Sequence, residues 1–313
     1  LPSSKITSWE SRSSMDNVVN AVTVADDPAS TKNSGKISRI LGRAILYLIL
    51  IIGAIIFIFP FFWMISNSLM TLGETITRQM LPKVPQWSNY VQAWQQAKFS
   101  KYFLNSVLVT LGTLAGLLFT SILAGYAFGR IDFKGKDFFF GLFLATMMIP
   151  ESVTLIPNYL LIRGAIIPLP GGTWINTYWA LTLPFMANAF SIFLLRQFFA
   201  QVPSELWDAA RMDGCDHLRF LIQIVLPISK AAVLTVLLFG FTASWNAFQW
   251  PLLVTTRDTW RPLMVGLYGF ITEAGPNTHL LMAGAVITII PILIVYFLTQ
   301  KQFTQGIATT GLK

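Results

Sequence analysis

Few side chains in this sequence are equipped for chemistry. Cys215 is its single cysteine, and His217 and His279 are its two histidines. These are too few for a disulfide framework, a zinc cluster or an iron–sulfur site. An intramembrane enzyme would need paired catalytic groups at depth, such as two carboxylates or a Ser–His pair. The long apolar runs offer only Glu151 and, at the edge of one, His279. No phosphate loop of the form G-x-x-x-x-G-K-[ST] is present, since Gly129 and Gly135-Lys136 stand one residue too far apart and Asp137 follows. The reading is a non-catalytic chain that binds no metal and no cofactor of its own.

One dense cluster of charge remains. Between Gln201 and Phe220 lie Glu205, Asp208, Arg211, Asp213, Asp216 and Arg219. The local pattern predicts a short helix, with Pro203 before it, Ser204 as N-cap, and Glu205 and Asp208 at its positive end. Gly214 is the expected C-terminal stop. Leu206, Ala209 and Ala210 share one face at i, i+3 and i+4, and the two alanines form a small face where another backbone can approach. A second amphipathic turn with Phe220, Leu221 and Ile224 follows, until Pro227 turns the chain. The residues alone allow two readings, a solvated connector or a docking helix for a partner.

A second set of residues has the chemistry of a solute path. Glu151 lies in MMIPESVTLIPNY, between Pro150 and Pro157, which predicts a kinked or broken helix. A carboxylate in lipid must face a cavity or partner, or be protonated. It is a path residue, a hydrogen-bond partner of the loosened backbone, or a residue placed near the outer surface. Aromatic platforms beside amide or hydroxyl groups suit a polar solute. Asn188 and Ser191, and then Ser244, Trp245, Asn246, Gln249 and Trp250, supply such groups. The path candidates are therefore Glu151, Asn188, Trp245, Asn246 and Gln249. The competing reading is interfacial aromatics and amides that join helices.

The elements that must hold these residues follow from composition. Of 313 residues, 54% are hydrophobic and 12% charged, with a mean hydropathy of +0.60. An average soluble domain carries roughly 25% charged residues, so an ordinary water-soluble enzyme is excluded, as is a disordered chain. Uncharged runs cover 44–73, 102–129, 164–195, 231–256 and 274–300, and a sixth, 138–162, is interrupted once, by Glu151. Each exceeds the roughly 20 residues that a helix needs to span the hydrocarbon core. The runs lack the alternation of barrel strands. The fold class expected is an all-α polytopic membrane protein. Six transmembrane helices are predicted near 44–66, 103–129, 138–162, 175–198, 231–254 and 279–300.

Residues 1–38, polar and without an apolar stripe, are expected to form a disordered cytoplasmic tail ahead of a single transmembrane domain over 39–313. The first span is too long for a signal peptide and is expected to stay uncleaved. With the N-terminus inside, seven of the 22 Lys and Arg fall outside: Arg78, Lys83, Lys98, Lys101, Arg163, Arg257 and Arg261. The excess on the other side places both termini in the cytoplasm. The basic residues form no single patch, which argues against nucleic acid. With Glu151 the only ionisable group at depth, ion-coupled transport has thin support. In the second span Gly112/Gly116 and Gly125/Gly129 permit close helix approach. At 100° per residue the pairs stand about 220° apart, so they are expected to serve different contacts.

The string ELWDAARMDGCDHLRFLIQIVLP, Glu205 to Pro227, resembles the cytoplasmic loop of ABC-importer permeases, which reads E-A-A, three residues, Gly, and later I-x-L-P. Asp208 stands in for the Glu, Ala209, Ala210 and Gly214 match, and Ile224, Leu226 and Pro227 match the end. In that family the loop forms coupling helices seated in a cleft of the ATP-hydrolysing subunit. The resemblance thus implies an ATPase-coupling set of Glu205, Asp208, Ala209, Ala210, Asp213, Gly214, Leu226 and Pro227. FPFFWMISNSL (Phe59 to Leu69), NYVQAW (Asn89 to Trp94), FLNSVLVT (Phe103 to Thr110), GYAFGRIDFKGKD (Gly125 to Asp137), WNAFQWPL (Trp245 to Leu252) and the terminal QKQFTQGIATTGLK resemble the carbohydrate branch, permeases like the maltose transporter's smaller membrane subunit. Departures are Asp208 for Glu, which shortens the carboxylate's reach, Cys215 for Ala, and Ala231 where Pro often follows. The resemblance implies a multi-pass permease of the bacterial inner membrane, with the coupling loop between helices four and five. It implies as partners a homologous second permease, two ATP-binding subunits that use ATP and Mg, an external solute-binding protein and membrane lipid. A sugar or oligosaccharide is the implied cargo. The alternatives are another ABC solute (sugar phosphate, amino acid or peptide) or an ion-coupled secondary transporter.

Overall fold

The computed structural model describes residues 28–272 and 275–310, with side chains over 41–271 and 275–300. The chain forms two units, 1–62 and 63–313. The polar tail expected over 1–38 lies outside the described residues as far as residue 27, and the first helix, α1, runs Pro28–Ser68. In the first unit every described side chain from Leu41 to Phe62 is exposed except at Gly53. A helix that is apolar all round suits lipid or a partner helix, not water.

The second unit is almost wholly helical. Short helices α2 (Leu72–Ile76) and α3 (Ser88–Gln96) precede the long α4 (Phe99–Arg130). Next come α5 (Lys136–Thr146), α6 (Glu151–Arg163), α7 (Tyr178–Thr182) with a tighter turn at Leu183–Phe185, and α8 (Ala189–Ala200). Then follow α9 (Ser204–Met212), α10 (His217–Phe220), a π turn at Leu221–Val225, α11 (Leu226–Ile228) and α12 (Lys230–Trp245). The chain closes with α13 (Gln249–Val254), α14 (Leu263–Tyr268) and α15 (Thr278–Thr310). A two-residue hairpin pairs Ile271 with Pro276 and Thr272 with Gly275.

Among the described residues, Leu41–Ser68, Phe99–Arg130 and Thr278–Gln300 are long and apolar enough to cross a membrane unbroken. Three bent helix pairs also have the length and apolar composition to cross: α5 with α6 at 98°, α7 with α8 at 42°, and 217–228 with α12 at 83°. Six spans result when each bent pair crosses as one. The run 138–162, expected to be kinked or broken, is two helices: Pro150, in extended backbone with φ −61° and ψ 139°, stands at the N-cap of the second, where its ring cannot continue the ladder of the first. The run 231–254 also breaks, at residues 246–248. The run 175–198 breaks between Phe185 and Ala189.

The long helix α4 is the axis of the unit. It lies along 178–200 on one side, and its glycines make that contact. A Cβ on Gly112 would collide with the Tyr178 hydroxyl, and one on Gly116 with the Met186 side chain. A Cβ on Gly125 would stand 3.0 Å from Leu195 Cβ, and one on Gly129 3.3 Å from the carbonyl of Arg196. Both glycine pairs thus face one partner segment, against the expectation of separate contacts. The 42° bend in that segment lets it wrap α4 and follow the rotation of the glycine stripe. On another side α4 meets α12 in antiparallel sense. Phe103 packs edge-on to Trp245, Ser244 hydrogen-bonds Thr110 at 3.3 Å, and Gly240 sits under Leu114 and Leu117.

Candidate functional site

The charged segment of 201–227 folds as a compact hairpin at one end of α4. Pro203, with φ −54° and ψ 140°, occupies the N-cap position of α9, and no side chain caps it. Ser204 is therefore the first helical residue rather than the cap, because the proline's fixed φ already sets the entry geometry. Glu205 stands in the first turn and Arg211 in the last, each on the end the helix dipole favours. The exit is a Schellman turn. Gly214 N–H donates to Arg211 O at 3.0 Å, Cys215 N–H donates to Ala210 O at 2.9 Å, and Gly214 has φ +75°. Asp216 then caps α10 by accepting from Arg219 N–H at 2.9 Å.

Burial divides the two alanines expected on one face. Ala210 is 7% exposed and joins Phe199, Val202 and Phe220 in the core. Ala209 is exposed, beside Leu206 at 40% and Met212 at 85%. The small exposed ridge is thus Leu206, Ala209 and Met212 at i, i+3 and i+6, flanked by Glu205, Asp208 and Asp213, which are also exposed. The inward face is set by Trp207, whose ring stacks on His217 at 4.2 Å and meets Phe220 edge-on at 5.0 Å. Leu226 packs half-buried against the same core, while Pro227 is exposed. The turn into α12 falls at Ser229, two residues beyond Pro227. The π turn before Pro227 widens the ladder where the proline ring would otherwise meet the carbonyl of Gln223.

Two contacts that the residue pattern alone did not single out join this hairpin to α4. Arg130 Nη1 donates to Val202 O at 2.6 Å, and the Tyr126 hydroxyl lies 2.9 Å from His217 Nδ1. The available signal was a Trp and a His placed in an otherwise charged loop. A cleft of about 490 Å³ opens between Arg130, Asp132, Trp207, Arg211, Asp216 and His217. Among the described residues no group of three or more His, Cys, Asp or Glu is arranged to hold a metal ion.

The path candidates fall in different environments. Glu151 is the first residue of α6, exposed, just past the 98° bend. A first-turn carboxylate there suits the helix dipole. Asn188 caps α8, its Oδ1 accepting from Ser191 N–H at 3.1 Å. Trp245 is 3% exposed, donates from Nε1 to Thr288 O at 3.0 Å and stacks on Phe241. Trp250 is buried, bonded to Ala180 O at 2.9 Å. Asn246 and Gln249 are exposed and bracket the break between α12 and α13. Trp245, Asn246 and Gln249 lie within five residues of one another, while Glu151 and Asn188 stand at the starts of other helices.

At the other end of α4, some 48 Å away by the helical rise of about 1.5 Å per residue, a polar network fastens 255–262. Asp258 accepts from Lys98 Nζ at 2.6 Å, from the Tyr102 hydroxyl at 3.0 Å and from Arg261 Nη1 at 3.3 Å. The Lys98 hydrogen bond above all, then that from Tyr102, holds the Asp258 carboxyl below the usual carboxylate range. The same Asp258 contact raises Lys98. Asn105 donates to the carbonyls of Thr259 and Arg261, and Ser106 accepts from Leu263 N–H.

The architecture and sequence both have known counterparts. A solved chain of a bacterial ABC transporter involved in the import of the acidic polysaccharide alginate superposes with a TM-score of 0.74 at 24% identity, over 85% of this chain and 97% of that one. This likeness shows the fold. The probable ABC transporter permease protein YurM of Bacillus subtilis (strain 168) is 32% identical over 93% of this chain and 95% of its own length. The arabinooligosaccharides transport system permease protein AraQ of the same organism is 31% identical, over 87% and 96%. The sn-glycerol-3-phosphate transport system permease protein UgpE of Yersinia pestis is 30% identical, over 83% and 94%. The model of the family described as "binding-protein-dependent transport system inner membrane component" matches residues 116–309. The chain belongs to that family and is an inner-membrane permease subunit of the ABC transporter class.

Proposed function

We propose that this permease serves an ATP-driven, binding-protein-dependent importer of a carbohydrate, a sugar or oligosaccharide, and forms half of its translocation pathway. A homologous permease supplies the other half. Two ATP-binding subunits hydrolyse ATP with Mg, and an external binding protein delivers the solute. Both termini lie in the cytoplasm. The observation that carries the reading is the exposed ridge of Leu206, Ala209 and Met212 on a helix fixed from behind by Trp207. An apolar strip bordered by carboxylates, held rigid at a turn between two spans, fits a cleft on a soluble partner. Glu205, Asp208 and Asp213 border that contact, Ala210, Leu226 and Pro227 hold its shape, and Gly214 sets its end. ATP binding closes the two ATPases, and their motion passes through Glu205–Pro227 to the spans, which exposes the path to each side in turn. The names of the relatives, arabinooligosaccharide among them, support a carbohydrate cargo.

A different solute class, a phosphorylated or otherwise anionic one, has one observation in its favour. Arg163 and Arg257, with Thr173, Asn176 and Thr259, line a cleft of about 510 Å³ at the end of the unit opposite the hairpin. One experiment separates the two. The complete transporter is reconstituted with its binding protein, and ATP hydrolysis is measured across arabino-oligosaccharides, alginate oligosaccharides, glycerol 3-phosphate and amino acids. Stimulation by neutral oligosaccharides alone is expected. Stimulation confined to glycerol 3-phosphate and alginate oligosaccharides assigns the anionic solute instead, and stimulation confined to amino acids, or uptake that survives loss of the ATPase, refutes the carbohydrate importer.

A further inference from the structure

The string Gly125–Asp137 carries a contact that the docking ridge does not explain. Arg130 is the last residue of α4, and its guanidinium reaches across to the root of α9. Nη1 donates to Val202 O at 2.6 Å and Nη2 to Pro203 O at 3.5 Å, while its central carbon lies 5.9 Å from the centre of the Phe220 ring. One turn back, on the same face at i−4, Tyr126 meets His217 Nδ1 at 2.9 Å. The His217 ring is in turn stacked on Trp207. Gly129 lies between the two anchors. A Cβ there would stand 3.3 Å from the carbonyl of Arg196 and 3.5 Å from Phe199 Cβ, so its absence lets α8 lie against α4 at this point. Arg196 completes the junction by donating from Nε to Phe128 O at 3.1 Å.

Val202 and Pro203 form the short non-helical turn between α8 and α9. The Val202 carbonyl lies past the end of α8, which supplies it no donor, and the Pro203 carbonyl stands at the N-cap of α9. A guanidinium fork can hold two adjacent carbonyls at once, whereas a lysine ammonium is a single point of attachment. Without that fork, a load on α9 would reach the spans along the chain at either end of the hairpin, through packing and through the single Tyr126–His217 contact. With it, the load is applied to α4, which also carries 178–200 and α12.

We infer that Arg130, assisted by Tyr126, is a positioning residue for coupling: it makes the end of α4 and the docking hairpin move as one body. This rests on the docking reading of the Leu206 ridge. The test uses the complete transporter in proteoliposomes, with Arg130→Ala, Arg130→Lys and Tyr126→Phe. Three quantities are measured: recovery of the ATPase on a tag carried by this chain, ATP hydrolysis with Mg-ATP, and uptake of whichever radiolabelled panel sugar most stimulates hydrolysis. In Arg130→Ala, ATPase recovery and hydrolysis are expected to stay at wild-type level while sugar imported per ATP falls about tenfold, as loss of a charged hydrogen bond implies. Arg130→Lys should recover part of that loss, and Tyr126→Phe should lose roughly threefold, as for one neutral hydrogen bond. Unchanged import per ATP in Arg130→Ala overturns the inference, as does loss of the ATPase, because Arg130 is not on the docking ridge. If Arg130→Ala yields no folded protein, unchanged import per ATP in both milder variants overturns it. Leu206→Asp is run in parallel. If it keeps its ATPase, the docking reading itself fails. If it loses the ATPase while Arg130→Ala couples normally, only the present inference fails.

Discussion

Trp207 and His217 stack with ring centres 4.2 Å apart and planes 13° from parallel. Ten residues separate them in sequence, and the Schellman turn at Gly214 brings them together. The stack decides which side of α9 turns inward, and therefore which of two adjacent alanines is available to a partner. Successive helical positions differ by 100°, so with Trp207 turned inward, Ala210 is buried three residues on and Leu206 and Ala209 face out.

Substitutions at the two alanines should accordingly separate. Leu206→Asp or Ala209→Asp places a charge on the exposed ridge and should reduce ATPase recovery in pull-down at least tenfold, with little change in the thermal stability of the isolated permease. Ala210→Leu should do the reverse first. It overpacks the pocket beside Phe199 and Phe220 and should cost about 1–3 kcal/mol, seen as a lower melting temperature in detergent. Equal ATPase loss in all three without a stability difference would show that the faces are wrongly assigned.

Gly214 offers a test of backbone rather than side-chain chemistry. No atom lies within 4 Å of a Cβ built there, so space is free and only its φ of +75° resists substitution. Gly214→Ala should cost about 1 kcal/mol and Gly214→Asn less, since Asn tolerates the left-handed region. Gly214→Asp adds a fourth carboxylate beside Asp208, Asp213 and Asp216. It should weaken ATPase attachment or uncouple hydrolysis from uptake beyond what Gly214→Ala does. The order Asn, Ala, Asp in pull-down yield is the expected result, and normal recruitment and uptake in Gly214→Asp would refute the docking assignment.

The helices were legible in the apolar runs because lipid demands both length and the absence of charge. Their breaks were only partly legible. Pro150 announces the bend before Glu151, yet Pro60 and Pro291 lie inside α1 and α15. A proline removes one hydrogen bond, and packing decides whether the helix breaks there. The break at 246–248 follows the same logic, since Pro251 in the first turn of α13 cannot accommodate a helical carbonyl at Ala247. The charged hairpin could be found from composition and motif. Its inward face could not, because Trp207, His217 and Tyr126 meet only through tertiary packing.

Asp258 sets a pH window for the opposite end of α4. Its carboxyl lies below the ordinary carboxylate pKa, so its stabilising contribution is complete above about pH 4 and lost only as pH falls through the depressed value. Lys98 is shifted upward, so its contribution is complete below about pH 10 and lost as pH rises through the raised value. Amide exchange of residues 255–263 in nanodiscs, corrected for the intrinsic rate, should therefore show constant protection from about pH 5 to about pH 9. Asp258→Asn should reduce that protection across the whole range. A fall in wild-type protection between these limits would mean that another group holds the loop.

The path candidates divide by burial, and kinetics can expose the division. Trp245→Phe removes the indole N–H bonded to Thr288 O within a packed aromatic cluster, and should cost about 1–2 kcal/mol of stability. Any transport loss in that variant should follow the loss of folded protein. Asn246 and Gln249 are exposed at the helix break, and Glu151 is exposed at the start of α6, so replacing each with Ala should leave the stability within about 0.5 kcal/mol of wild type. A side chain that touches the moving solute contributes through hydrogen bonds of about 0.5–1.5 kcal/mol, a severalfold change in the rate or half-saturation of uptake. The expected pattern is altered uptake in the three exposed variants, with assembly and basal hydrolysis intact. Wild-type uptake kinetics in all three would remove them from the path and leave its lining to the partner permease.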